Sequence, residues 1–277
     1  KRIGYAGAGP EALMRSGCAR LAAANVILAS ISGAAWAGQA AGACWIQNGV
    51  LLVPAIAGGV NGVFILDTGQ ARSQLDATQA SEADIAADTA TTDVRLAGRV
   101  APSIRMQVLA LDDRTRAFAV PIAGVLGADV LAGRTLEVQP DPCRVRLSQP
   151  GRAPAHRSGV VLPLQIKDGA PYIRAAVSDG MTGVAGEFRV DTGSPVSVTL
   201  GAASAALARE GRLRGLSIGG LLIESAPTKA AQDTPEGVLG RIGEPIWSRF
   251  AVRLDYAGQT LGLSAPRRAR SRGSSHR

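Results

Sequence analysis

The chain has 277 residues, enough for two domains of about 100–150 residues each. Only 4% of its residues are aromatic while 34 are glycine, so Val, Leu, Ile and Ala must fill the cores of a turn-rich β protein. The net charge of +8 belongs to the ends: residues 267–277 carry five arginines and no acid, and residues 1–37 carry a net +3, which leaves residues 38–266 neutral and excludes nucleic-acid binding by the folded part.

Residues 1–37 read as an extension followed by an export signal. Met14-Arg15 through Arg20 is a positive segment, Leu21 to Ala35 is apolar, and Ala35-Trp36-Ala37 fits the A-x-A cleavage pattern. The expected location is therefore exported, either periplasmic or secreted. The alternative is a membrane anchor, with the segment left uncleaved or with Ala41-Gly42-Ala43-Cys44 as an imperfect lipidation box that lacks the usual Leu. A membrane partner is expected only in those two cases.

A first lobe is expected over 44–149. Val50 to Ile56 and Val63 to Leu66 read as a hairpin around the turn cluster Gly58-Gly59-Val60-Asn61-Gly62. Residues 76–93 read as a loop with some helix, and Val94 to Leu96 and Ile104 to Leu111 as strands. Ala128 to Leu131 reads as a short helix, followed by closing strands at Thr135 to Val138 and Val145 to Leu147. The polar, Pro- and Gly-containing stretch 150–158 is the linker. A second lobe over 159–264 repeats the order, with strands at Val160 to Ile166 and Tyr172 to Val177, and a third ending at Asp191. A helix at Ala202 to Arg209 and closing strands at Phe250 to Leu254 and Leu261 to Leu263 complete it. Residues 265–277 form a basic tail, expected to be solvated and disordered, with contact to acidic lipid or nucleic acid as the alternative.

Two cysteines survive removal of the signal. Cys44 and Cys143 bracket the first lobe, and in an oxidising compartment they can form a bridge that closes it. Sequence cannot place their Cα atoms, so two free thiols remain open.

The duplication is clearest in two triplets. Phe64-Ile65-Leu66 runs into Asp67-Thr68-Gly69, and Phe188-Arg189-Val190 runs into Asp191-Thr192-Gly193. Downstream lie Gly124-Val125-Leu126-Gly127 and Gly237-Val238-Leu239-Gly240, read as a second matched pair. An Asp-Thr-Gly at the end of an apolar strand sets its carboxylate at a sharp turn, where glycine bares backbone N–H groups. Two such carboxylates brought close together share one proton, so one can take a proton from water while the other gives one to a carbonyl.

These motifs resemble the pepsin-like and retroviral-type aspartic proteases, in particular bacterial retropepsin-like proteins with two fused lobes. The resemblance covers about residues 44–264 and implies an all-β fold of two tandem β-barrel lobes with short helices, related by a pseudo-two-fold axis. It makes Asp67 and Asp191 the catalytic pair, Thr68 and Thr192 the interlocking hydroxyls, and Gly69 and Gly193 the loop glycines. Gln70 and Ser194 fall next to the site, and Gln70 departs from the Ala or Ser common there. Leu126-Gly127 and Leu239-Gly240 are expected beneath the catalytic loops. A flap tyrosine is missing: Phe118 is the one aromatic between Gln70 and Val120.

The implied activity is endopeptidase action on peptide or protein substrates by a monomer, without cofactor or metal. A catalytically inactive, exported peptide-binding or scaffold protein is the alternative. Other chemistries lack their residues. The two histidines, His156 and His276, lie in the linker and the tail, so neither a Ser-His pair nor a metal cluster can be built. Asp112-Asp113 reads as an exposed turn, and Trp45 and Trp247 as core.

Overall fold

The structure, a computed structural model, describes residues 41–149, 159–208 and 210–266. The export segment, the linker at 150–158 and the tail from residue 267 lie outside the described residues.

In the first lobe, Ala41–Ala43 (β1) and Trp45–Gln47 (β2) precede the hairpin Val50–Ala57 (β3) and Val60–Leu66 (β4). Gln74–Asp76 (β5), the helix Ala77–Glu82 (α1), Thr89–Leu96 (β6) and Arg99–Leu109 (β7) follow. The helix Asp112–Thr115 (α2), Ile122–Leu126 (β8), a 3-10 turn at Ala128–Leu131, Thr135–Pro140 (β9) and Cys143–Ser148 (β10) end the lobe. The second lobe runs through Val160–Pro163 (β11), Gln165–Lys167 (β12), Ala170–Ser178 (β13), Gly183–Asp191 (β14) and Val198–Leu200 (β15). A 3-10 helix at Ala202–Ala208, Arg212–Ile218 (β16), Leu221–Ala230 (β17) and Val238–Gly243 (β18) come next. Glu244–Trp247 (α3), Ala251–Asp255 (β19) and Thr260–Ser264 (β20) close it.

Strands β3-β4-β8-β5-β7-β6 form a ring closed by the β3–β6 pairing, with β2 added at β3. Strands β13-β14-β18-β15-β17-β16 repeat that ring, closed by β13–β16, with β12 added at β13. The all-β, two-barrel architecture expected from the duplication is thus present. A third sheet, β1-β10-β9-β19-β20-β11, takes three strands from each lobe and joins them where β9 pairs with β19. Its strands alternate as a half-buried sheet must. Leu136, Val138, Val145, Leu147, Val252, Leu254, Leu261 and Leu263 are all buried on it. Each such side chain contributes about 1.5–3 kcal/mol when fully buried, and they merge both barrels into one continuous apolar core.

Strand β6 begins at Thr89, earlier than the expected Val94. Thr89, Thr91 and Thr92 are β-branched and extend the strand toward α1. Helix α1 is set by Asp76, whose carboxylate accepts from the N–H groups of Thr78 and Gln79. The helix expected at Ala128 to Leu131 is a 3-10 turn instead, and the one expected at Ala202 to Arg209 is a 3-10 helix over Ala202–Ala208.

One sequence match is corrected. In the parallel pair β4–β8, Phe64 faces Gly124 and Leu66 faces Leu126; in β14–β18, Phe188 faces Gly240 and Val190 faces Ile242. Gly124-Val125-Leu126-Gly127 therefore corresponds to Gly240-Arg241-Ile242-Gly243, and the string Gly237 to Gly240 lies three residues too early. The steric environment agrees. A Cβ on Gly127 would stand 2.6 Å from the carbonyl oxygen of Gln70, and one on Gly243 would stand 2.6 Å from that of Ser194, the matched position. Ile242-Gly243, not Leu239-Gly240, packs beneath the second loop. Both parallel pairs also carry a register shift just before the buried phenylalanine, at Val63/Phe64 and Glu187/Phe188.

Cys44 and Cys143 are disulfide-bonded, with Cα atoms 5.1 Å apart and a sequence separation of 99. A bridge closing a loop of that length restricts the unfolded chain strongly, so Cys143→Ala should lower stability by about 2–4 kcal/mol. The check is a urea titration, in which the variant's midpoint falls below that of wild type.

Candidate active site

Strands β4 and β14 end at the interface between the barrels and deliver Asp67 and Asp191 there, only 5% and 6% exposed. The loops that follow are tied crosswise by their threonines. The Thr68 hydroxyl donates to the carbonyl of Val190 (2.7 Å) and accepts from the Thr192 N–H (3.2 Å). The Thr192 hydroxyl donates to the carbonyl of Leu66 (2.6 Å) and accepts from the Thr68 N–H (3.1 Å). Both hydroxyls are buried, so each bond satisfies a group that would otherwise be left unpaired.

The glycines make room for the acids. A Cβ on Gly193 would lie 2.2 Å from Oδ2 of Asp67, and a Cβ on Gly69 would lie 2.8 Å from Oδ2 of Asp191. Each carboxyl therefore rests against the bare backbone of the opposite lobe, near enough to its counterpart for the charge of Asp67 to act on Asp191. Oδ1 of Asp67 accepts from the Gln70 N–H (3.0 Å), and Oδ1 of Asp191 from the Gly193 N–H (3.1 Å). Gln70 and Ser194 line the cleft beside them.

The pair is electrostatically unequal. Burial, followed by the negative charge of Asp67, pushes the Asp191 carboxyl up to about 8, against weaker opposing pulls from Arg241 and Arg114. Arg114 Nη2 donates to Oδ2 of Asp67 at 2.6 Å. It comes from α2, whose preceding residue, Leu111, is buried in a small apolar cluster with Leu52, Ile65 and Val125. The Leu111 N–H also bonds Oδ2 of Asp76 (3.2 Å), so both the core and the cap of α1 hold this segment over the site.

A third carboxyl lies below. Glu244 opens α3 at the position that Ala128 fills in the first lobe, is 1% exposed, and has an Oε2 without a hydrogen-bond partner among the described residues. Burial first, and then Asp191, push it up to about 8 as well.

The cleft has a volume of about 420 Å³, and its charged lining comprises Asp67, Asp191, Arg114, Arg189, Lys229 and Arg241. The four cations were not singled out in the sequence. Arg189 could have been, since it stands two residues before Asp191 on the same strand and so shares its face. Arg114 carries no local signal. No residue of the β6–β7 turn, Ala97-Gly98, lines the cleft, and Phe118 packs on the small cluster instead. Trp247 is buried in the main core, and Trp45 lies half-buried beside the small cluster.

No family model and no curated protein matches the sequence. Among solved structures, an aspartic proteinase from Irpex lacteus is similar to this chain with a TM-score of 0.54. The likeness covers 82% of this chain and 97% of that one at 14% identity. Identity that low speaks for the fold alone, and the fold is that of the two-lobed aspartic proteinases.

Thr192→Val keeps the side-chain shape but removes one donor and one acceptor from a buried network. It should cost about 1–3 kcal/mol, measured by chemical denaturation, with Thr192→Ser recovering most of the loss. Asp191 and Glu244 both titrate higher folded than unfolded, so the native state holds more protons than the unfolded chain between their ordinary values and about 8. Their contribution to stability is therefore full below about pH 4 and is lost as pH rises toward about 8. The thermal midpoint should fall across that window, and Glu244→Gln should flatten the fall.

Proposed function

We propose that the chain is an aspartic-type endopeptidase, hydrolysing peptide bonds with a water held between Asp67 and Asp191. The observation that carries this reading is the pair of buried carboxyls, one from each lobe, meeting on a cross-bonded platform at the floor of an open cleft.

Desolvation falls on Asp191 while the Arg114 guanidinium faces Asp67, so the shared proton resides on Asp191 and Asp67 is the base. Asp67 takes a proton from the water as its oxygen bonds to the substrate carbonyl carbon. Asp191 gives its proton to the carbonyl oxygen. The tetrahedral adduct then breaks at its C–N bond: the amine leaves with the proton held by Asp67, and one hydroxyl of the adduct returns its proton to Asp191 as the carboxylic acid product forms. A carboxylate oxygen has two acceptor sites, so Oδ2 of Asp67 can serve the water while Arg114 stays bound. No cofactor or metal enters these steps.

Both half-sites belong to one chain, so the active unit is proposed to be a monomer. The signal-like segment and the Cys44–Cys143 bridge favour an exported protein acting in an oxidising compartment, on peptides or unfolded proteins.

The rival reading is a peptide-binding protein without turnover, and one observation favours it: the 2.6 Å ion pair occupies the base. The two separate in one assay. Under the peptidase reading, the protein cleaves a denatured substrate with pepstatin sensitivity, and Asp67→Asn lowers kcat/KM by about 10²–10⁴-fold. Activity should persist at neutral pH and decline as pH rises through about 8, where Asp191 loses its proton. Wild type and Asp67→Asn equally inert from acid to mildly alkaline pH would leave the binding reading standing.

A further inference from the structure

The two barrels present different surfaces to the cleft at matched positions. In the second lobe, strand register places Arg189 beside Arg241, Arg241 beside Thr199, and Thr199 beside Lys229. Residues paired across neighbouring strands project from the same face, so three cations and a threonine form one row over β14, β18, β15 and β17. Every member lines the cleft. The same row in the first lobe is Ile65, Val125, Gln74 and Gln107, without a charge. There Ile65 and Val125 lie buried beneath the Leu111 segment.

Adjacent like charges in one sheet row oppose folding, and this row is only partly compensated. Arg241 is matched by Asp233, with contacts at 2.8 and 2.9 Å. Arg189 stacks on Tyr172 at 5.4 Å and donates to its hydroxyl and to the carbonyl of Gly69. Those contacts fix its direction without neutralising it. The Lys229 side chain is exposed, and its ammonium has no ion pair or hydrogen bond among the described residues. With Asp67 taken by Arg114 and Arg241 by Asp233, Arg189 and Lys229 face the cleft without an ion pair among the described residues, Asp233 acting on Arg189 only through space.

Resting on the peptidase reading above, we propose that this row is an anion-selecting subsite. The substrate is a peptide that carries a carboxylate on the side of the cleaved bond lying over the second lobe. Strands about 4.8 Å apart put Arg189 and Lys229 about 14 Å from each other, the reach of roughly four extended residues. The carboxylate therefore lies within about four positions of the cleaved bond. On the other side, over the uncharged first-lobe row, acids gain nothing.

The test uses C-terminally amidated fluorogenic peptides of one length, with Glu, Gln or Lys moved through the positions on either side of a fixed cleavable bond. A companion set replaces the internal Glu by a free C-terminal carboxylate at the same distance, which separates an acidic side chain from a chain terminus. The expected result is a preference of about tenfold in kcat/KM for one carboxylate form over Gln, on one side only. It should weaken with added salt and invert toward Lys in Lys229→Glu. Cleavage indifferent to Glu, Gln and Lys would overturn the subsite and leave the peptidase reading intact. If no peptide is cut, the peptidase reading fails, and fluorescence anisotropy with the same peptides decides the subsite. Salt-sensitive binding of carboxylate peptides lost in Lys229→Glu upholds it, while binding that is equal across the set, or absent, overturns it.

Discussion

Everything at the interface depends on two buried threonine hydroxyls that bond across it. Each satisfies a backbone donor and a backbone acceptor of the opposite lobe. These four bonds fix both loops at once, since neither can move without leaving buried polar groups unpaired. The strands leading to the loops are clamped in turn by the buried phenylalanines at Phe64 and Phe188 and by the parallel strands β8 and β18 beside them. A rigid platform of this kind can hold two acids against each other even though burial and mutual repulsion oppose it.

The platform is symmetric, but what surrounds it is not. Asp67 has a guanidinium on one oxygen, whereas Asp191 has burial and the charge of its neighbour. Beneath the loops, Ala128 in one lobe becomes Glu244 in the other. On the cleft wall, Ile65 and Val125 become Arg189 and Arg241. A duplicated backbone has thus kept its geometry while its side chains diverged, and the divergence divides the proposed roles between base and acid. It also separates a charged wall from an apolar one.

The lobes are held together by more than the loops. The sheet shared between them buries one continuous apolar face and merges the two barrels into a single core. The Cys44–Cys143 bridge adds a covalent tie between the start and the end of the first lobe. The cleft floor is therefore tied from several sides, while α2, which carries Arg114, is a single short turn of helix.

The sequence alone determined the duplication, the β class and the place of both acids, because each is written locally. Strand periodicity marks the barrels, and glycine after Asp-Thr marks a turn that admits no side chain. String similarity also misled: Gly237 to Gly240 looks like Gly124 to Gly127, yet pairing with β14 selects Gly240 to Gly243. Register is set by which carbonyls and amides meet across strands, and no single strand contains that information. The same holds for Arg114, 47 residues from the acid it touches. It holds also for the cationic row, whose members come from separate strands and meet only when the sheet forms. Residues near in sequence revealed the acids, and only the folded sheet and loops revealed their neighbours, because charge acts through space and not along the chain.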